Sequence, residues 1–170
     1  MNIILCGMMG AGKTTVGLRL ALSLDRCWVD TDSLIEDEYG DIATIFQEHG
    51  EEYFRGVETK VVEELVQEDG LIISVGGGLV LKKENVELLK GSGKIVYLRA
   101  SVETLEERLS GDKNRPLLKN GEESLTEKLT KMMDARAPIY AEVADFTIDV
   151  EGKNPEEVAL EILAKLEEKR

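Results

Sequence analysis

Eight residues, Gly7-Met8-Met9-Gly10-Ala11-Gly12-Lys13-Thr14, constrain this chain more than any other stretch. They fit G-x-x-x-x-G-K-[ST], a loop whose backbone amides wrap the phosphates of a nucleotide. The motif means little without its setting, and the setting is present. Ile3-Ile4-Leu5-Cys6 before it reads as a buried strand, and Thr15 to Leu22 after it carries helical apolar spacing. Glycines let several N–H groups turn toward one anion, and the helix N-terminus adds partial positive charge. Lys13 is placed to reach the β- and γ-phosphates, and the Thr14 hydroxyl to ligate Mg²⁺. The chain is therefore expected to bind a nucleoside triphosphate.

A length of 170 residues suits one domain with one core, and 42% apolar content suits a globular chain. No apolar run approaches the ~20 residues of a membrane helix. The N-terminus lacks the basic-then-apolar pattern of a secretory signal, so the cytoplasm is the expected compartment. Two cysteines, Cys6 and Cys27, are too few for a disulfide framework or a metal cage and are expected to be reduced packing thiols. A net charge of −13 argues against a nucleic-acid partner, which needs a basic stripe. The acidic runs fall on expected helices as solvated faces, whereas Lys13, Arg55, Arg115 and Arg136 fall in irregular or glycine-rich segments. That distribution suits small anionic ligands.

Apolar runs expected as strands lie at 3–6, 27–30, 71–75, 95–98 and 146–150. Amphipathic stretches lie around 14–24, 41–67, 82–90, 101–110, 124–137 and 155–168. Ser124 with Glu127, and Asn154 with Pro155 and Glu157, read as helix starts with reciprocal caps. Alternating β and α units imply a mostly parallel sheet covered on both faces. Residues 31–67 form a helical insertion broken by Gly40 and Gly50, well placed to hold a second substrate. Residues 111–123 form a polar segment with the composition of a flap.

Several groups carry chemistry. Asp30-Thr31-Asp32 follows the second strand, and in extended backbone its two carboxylates project to one side, toward Mg²⁺ and an acceptor hydroxyl; helix capping is the equal alternative. Arg55 can pair with a carboxylate ligand, or with Glu51, Glu52 or Glu58 as a surface ion pair. Gly76-Gly77-Gly78 after the third strand leaves room for a ligand to approach backbone amides. Arg115, in Arg115-Pro116-Leu117-Leu118, can swing over transferring phosphate. Arg136 precedes Ala137-Pro138, where the helix is expected to stop. There it either points across the site or caps the helix.

Taken together, the motifs resemble those of the shikimate kinase family from end to end. The likeness runs through 7–17, Asp-Thr-Asp at 30–32, Ile45-Phe46, Gly50-Glu51, Phe54-Arg55-x-x-Glu58 and Gly-Gly-Gly at 76–78. It continues through Arg115 to Leu118, Arg136-Ala137-Pro138-x-Tyr140 and Asn154-Pro155. It implies a nucleoside-monophosphate-kinase-like α/β sandwich of three layers, with a five-stranded parallel sheet of order 2-3-1-4-5. It also implies a single P-loop kinase domain over 1–170, with 31–67 as the shikimate-binding insertion and 111–123 as a mobile lid. The activity so implied is ATP- and Mg²⁺-dependent phosphorylation of the 3-hydroxyl of shikimate to shikimate 3-phosphate, on the way to chorismate and aromatic amino acids.

By position, the resemblance assigns ATP to Gly10, Ala11, Gly12, Lys13, Thr14, Thr15, Arg108, Arg115 and Lys153. It assigns the metal to Thr14 and Asp30. Shikimate falls to Asp32, Phe46, Phe54, Arg55, Gly76, Gly77, Gly78 and Arg136, with Glu58 orienting Arg55. Lys13, Asp32 and Arg115 become the catalytic groups. The implied partners are ATP and shikimate alone, with no nucleic acid or membrane, and the implied state is a monomer. Two departures stand out: Asp25-Arg26-Cys27-Trp28 where the family often has Leu-Gly and an aliphatic residue, and Lys153 where an arginine is often found. A gluconate kinase of the same fold, and a non-catalytic nucleotide-binding relative, are the alternatives.

Overall fold

The sheet is built around its first strand. In a computed structural model that describes residues 1–111 and 123–168, β1 (Asn2–Cys6) is buried at every position. It pairs in parallel with β3 (Ile72–Ser74) on one side and β4 (Gly93–Arg99) on the other. β2 (Trp28–Asp30) and β5 (Phe146–Asp149) complete the parallel order β2-β3-β1-β4-β5. Strands buried on both faces read as continuous apolar runs, which is why Ile3–Cys6 and Ile95–Leu98 stand out in the sequence. The observed strands differ from the expected ones by one or two residues at their ends.

Among the described residues, seven α-helices surround the sheet: α1 (Lys13–Leu24), α2 (Thr31–Tyr39), α3 (Ile42–Leu65), α4 (Lys83–Ser92), α5 (Val102–Ser110), α6 (Leu125–Val143) and α7 (Pro155–Glu168). The step from β1 through α1 to β2 runs one way along the sheet, and the step from β3 through α4 to β4 runs the other. Right-handed crossovers therefore put α1 and α4 on opposite faces, and crevices open at the carboxyl end of β1. The insertion is broken where glycine permits it: Gly40 ends α2 with φ 93°, and Gly50 kinks α3 with φ 83°. No helix among the described residues is long and apolar enough to cross a membrane.

Both reciprocal caps form. Ser124 and Glu127 close a capping box at α6, and Asn154 and Glu157 exchange backbone bonds at α7. One expectation fails: α6 does not end before Pro138 but runs through it to Val143. Proline inside a helix removes one hydrogen bond and crowds the carbonyl four residues back, at a cost of ~3 kcal/mol. Here that carbonyl belongs to the exposed Asp134, where water can bond it. The helix is held beyond it by Tyr140, fully buried against the sheet. The cysteines also divide: Cys6 is a buried packing thiol, whereas Cys27, just before β2, is exposed.

Two glycines test the packing in opposite directions. A Cβ on Gly17 would stand 2.4 Å from the indole nitrogen of Trp28, whereas one on Gly56, inside α3, would meet nothing within 4 Å. Gly17→Ala is expected to lower unfolding stability by about 1–3 kcal/mol through overpacking. Gly56→Ala is expected to raise it by about 0.5–1 kcal/mol through helix propensity. Denaturant midpoints at constant m-value check both.

Candidate active site

The turn after β1 is set by three glycines with positive φ: Gly7 at 145°, Gly10 at 81° and Gly12 at 101°. At Gly7 a side chain is impossible for a second reason, since its Cβ would lie 2.6 Å from the carbonyl oxygen of Leu98 on β4. The loop delivers the chain into α1 at Lys13, whose Nζ donates to the carbonyls of Gly7 (2.7 Å) and Met8 (3.0 Å). Thr14 and Thr15 are exposed at the mouth of the loop. Arg108, from α5, donates to the Gly10 carbonyl at 3.0 Å and so lies across the loop. Lys153 sits farther along the same cavity, bound to the Asp149 carbonyl (2.9 Å) and to Glu161 (2.5 Å).

Two cavities meet at this edge of the sheet. One, of about 790 Å³, runs from the phosphate loop past Arg108 to Lys153 and Pro155. The other, of about 520 Å³, is enclosed by α3, the glycine triplet and α6, and includes Phe46, Phe54, Arg55 and Arg136. Asp32, Gly76, Gly77 and Arg136 belong to both walls. A group bound in one cavity therefore faces a group bound in the other across Asp32.

The Asp30–Asp32 pair reaches this position by a different route from the one expected. Asp30 is extended (φ −117°, ψ 124°) but α2 begins at Thr31, so Asp32 lies in the first helical turn rather than in a strand. Asp30 caps that helix, accepting from the Ser33 amide at 2.9 Å, and still lines the phosphate-loop cavity. Capping and a place in the site thus coexist. Burial holds the Asp32 carboxyl above the ordinary range, and the Asp30 charge adds to this, against the opposing pull of Lys13 and Arg55. Thr31 between them is fully buried, and its hydroxyl accepts from the Gly76 amide at 3.0 Å.

The glycine triplet is where acceptor-side groups converge. A Cβ on Gly76 would stand 2.7 Å from Asp32 Oδ1, and one on Gly77 would stand 3.2 Å from Arg136 Nη1. At Gly78 it would stand 2.4 Å from Arg55 Nη1. Each missing side chain is replaced by a different charged group. Arg55 Nη1 also donates to Glu58 Oε1 at 2.6 Å, and its Nη2 meets Glu51 at 3.4 Å. Burial opposes the Arg55 charge, but the hydrogen bonds and charges of Glu58 and Glu51 together outweigh it and hold the guanidinium above its ordinary value. Glu58 is 1% exposed, and burial raises its carboxyl despite Arg55. Phe54 carries Arg55 over its ring at 5.4 Å and stacks on Phe46 at 4.7 Å between centroids.

The residues that sequence reasoning placed at one site line these two cavities, and Arg115, also expected there, lies outside the described residues. That reasoning missed a supporting chain: Trp28 Nε1 donates to Ser74 Oγ (3.0 Å), which donates to the Lys13 carbonyl (2.9 Å). The signal was Gly17, whose missing Cβ admits the indole. Tyr140, quoted only as part of a motif, donates to the Gly77 carbonyl at 2.6 Å.

A parallel sheet of order 2-3-1-4-5, a glycine loop delivering a lysine, and a second polar cavity beside it define a P-loop small-molecule kinase fold. The comparisons with known proteins agree. The shikimate kinase family model matches residues 9–167. Among relatives, a shikimate kinase of Caldicellulosiruptor bescii is 43% identical over 96% of this chain and 94% of its own length. One of Vibrio parahaemolyticus is 42% identical over 99% and 97%. The solved shikimate kinase of Acinetobacter baumannii in complex with shikimate superposes with a TM-score of 0.92, at 40% identity over 99% of this chain and 94% of that one. A gluconokinase of Sinorhizobium meliloti, 21% identical with a TM-score of 0.66, shares the fold only. The chain belongs to the shikimate kinase family.

A raised carboxyl pKa means the folded state binds its proton more tightly than the unfolded state does. Asp32 therefore costs stability above the ordinary carboxylate range, and that cost vanishes below it. Asp32→Asn is expected to raise the thermal midpoint at pH 7, with the gain disappearing as pH falls below about 4. Melting curves across pH 3–8 check the sign; a gain that grew on acidification would contradict it.

Proposed function

We propose that the protein transfers the γ-phosphoryl group of ATP to the 3-hydroxyl of shikimate, giving shikimate 3-phosphate and ADP, in the synthesis of chorismate and aromatic amino acids. The observation that carries this reading is the pair of cavities joined at Asp32, one with the phosphate loop and the other with two arginines. A neutral polyol needs no paired guanidinium groups; a carboxylate acceptor does.

Each residue then has a task. Lys13 exchanges its loop carbonyls for β- and γ-phosphate oxygens, together with the amides of Gly10, Ala11, Gly12, Thr14 and Thr15. Arg108 and Lys153 flank the nucleotide. Arg55 and Arg136 hold the shikimate carboxylate, Glu58 fixes the Arg55 fork, and Phe46 and Phe54 wall the ring. The 76–78 strap closes the pocket floor. Asp32 accepts the proton of the 3-hydroxyl as that oxygen bonds to phosphorus and the bond to the β-phosphate oxygen breaks. Burial keeps its carboxyl basic enough to help. Phosphoryl transfer has a loose transition state, so positioning and charge stabilisation supply most of the rate.

Mg²⁺ fits the donor set. Thr14 offers an exposed hydroxyl and Asp30 a carboxylate on the wall of the same cavity, and no cluster of three His, Cys, Asp or Glu occurs among the described residues. Hard oxygen donors completed by phosphates and water suit this ion, which when bound neutralises phosphate charge. Arg115, within the 111–123 lid of the resemblance, serves as the closing cation over the phosphates. The protein works as a cytoplasmic monomer with a single domain, and one continuous buried core among the described residues supports the single domain.

Lys13→Ala is expected to lower kcat by at least about 10³-fold, because it removes the charge nearest the transferring group. Arg136→Ala is expected to raise the shikimate KM by about 10–100-fold, the size of one lost charge-assisted bond, with little change in the ATP KM. A coupled assay of ADP release with shikimate, gluconate and quinate decides the acceptor. ADP release that shikimate does not stimulate refutes the proposal.

A further inference from the structure

Tyr140 has no part in the division of labour above, yet it is the largest fully buried side chain among the described residues. Its ring packs on Tyr97 with centroids 5.2 Å apart. Its hydroxyl donates to the Gly77 carbonyl at 2.6 Å, and the sulfur of Met8, in the phosphate loop, lies 3.9 Å from the same oxygen. Arg136 stands one turn earlier on α6. Its Nη1 comes within 3.2 Å of the point a Gly77 Cβ would occupy, and the Tyr140 oxygen lies 3.4 Å from that point. One phenol oxygen thus adjoins three parts of the site: the glycine strap, the phosphate loop and the carboxylate-directed arginine.

A phenol has one proton to donate and lone pairs with which to accept. The proton goes to Gly77, which leaves the lone pairs for the guanidinium. Burial holds the hydroxyl up to about 12, although the Arg136 charge and hydrogen bond pull it down, so the proton stays on the oxygen throughout the physiological range. No side chain of another type fills the ring's volume, donates to a buried carbonyl and accepts from a cation at once. The same demand accounts for α6 continuing through Pro138, since ending the helix at 137 would withdraw Tyr140 from beneath Gly77.

We propose that Tyr140 is a positioning residue for the acceptor: its hydroxyl pins the Gly77 strap beside the phosphate loop and aims Arg136 into the acceptor cavity. The inference rests on Arg136 binding the acceptor carboxylate. Tyr140→Phe keeps the ring and its packing on Tyr97 but leaves the Gly77 carbonyl without its donor and removes the oxygen that adjoins the Arg136 guanidinium. A purely structural tyrosine would change stability alone, or both substrate constants together. A positioning tyrosine changes the constant for shikimate.

Steady-state kinetics on wild type, Tyr140→Phe, Arg136→Ala and the double variant, with ATP and shikimate varied separately, test this. Tyr140→Phe is expected to raise the shikimate KM about tenfold, the loss of one hydrogen bond to a charged group, with kcat and the ATP KM within about twofold. Added to Arg136→Ala, it is expected to raise the shikimate KM by less than about twofold, because the two residues act as one unit. An unchanged shikimate KM in Tyr140→Phe, equal rises in both KM values, or fully multiplicative effects in the double variant would overturn the inference. If Arg136→Ala itself leaves the shikimate KM unchanged, the carboxylate assignment fails first and the role of Tyr140 with it. Gly77→Ala, which crowds Arg136 directly and keeps Tyr140, supplies the same readout should Tyr140→Phe be too unstable to assay; an unchanged shikimate KM there also counts against the inference.

Discussion

Everything in this protein depends on β1 leaving the sheet within one residue of Cys6 while β4 stands against it. Gly7 makes that departure at φ 145°, 2.6 Å (measured from its absent Cβ) from a β4 carbonyl. No other residue type satisfies both the angle and the gap. The turn fixes where α1 begins, and hence where Lys13 and the exposed Thr14 lie. Because β1 is the central strand and β3 ends opposite Leu5, the segment after β3 leaves the sheet alongside the phosphate loop. Juxtaposition of the two cavities is thus a property of strand order before it is a property of any side chain.

The second cavity shows how charge is held without water. Asp32, Glu58, Arg55 and Arg136 crowd around three glycines, with burial working against both the carboxylates and the Arg55 cation. Arg55 and Glu58 relieve each other directly. Asp32 has no comparable partner at hydrogen-bond distance among the described residues, and burial favours its protonated form. The cost of keeping its charge is carried by the surrounding fold. Glycine at 76, 77 and 78 matters less for backbone freedom than for the absent Cβ volume that these charged groups occupy.

Much of this was legible in the sequence because it was local. Strand runs, helix periodicity, the capping pairs at Ser124 and Asn154, and the breaks at Gly40 and Gly50 all depend on near neighbours. The candidate site was legible through residue types that have few other uses, such as the phosphate loop and a glycine triplet after a strand. What was not legible was tertiary. Pro138 signals an end to α6 in any local reading, and only the buried contact of Tyr140 with Gly77, 63 residues away, overrides it. For Asp30 and Asp32 the local reading left extended chain and helix capping equal, and the structure takes the cap, with the helix starting one residue later. The chain Trp28–Ser74–Lys13 joins three elements distant in sequence, and no spacing rule reports it.

That last chain has a practical consequence. Trp28 is the only tryptophan in the protein, and its indole N–H bonds to the serine that bonds to the backbone of Lys13. Indole emission responds to the polarity and hydrogen bonding around the ring, and here that surrounding includes the first turn of α1. The molecule therefore carries an unlabelled optical reporter two hydrogen bonds from its nucleotide loop, with no second indole to dilute the signal. Occupancy of the donor side can be followed in solution by light alone.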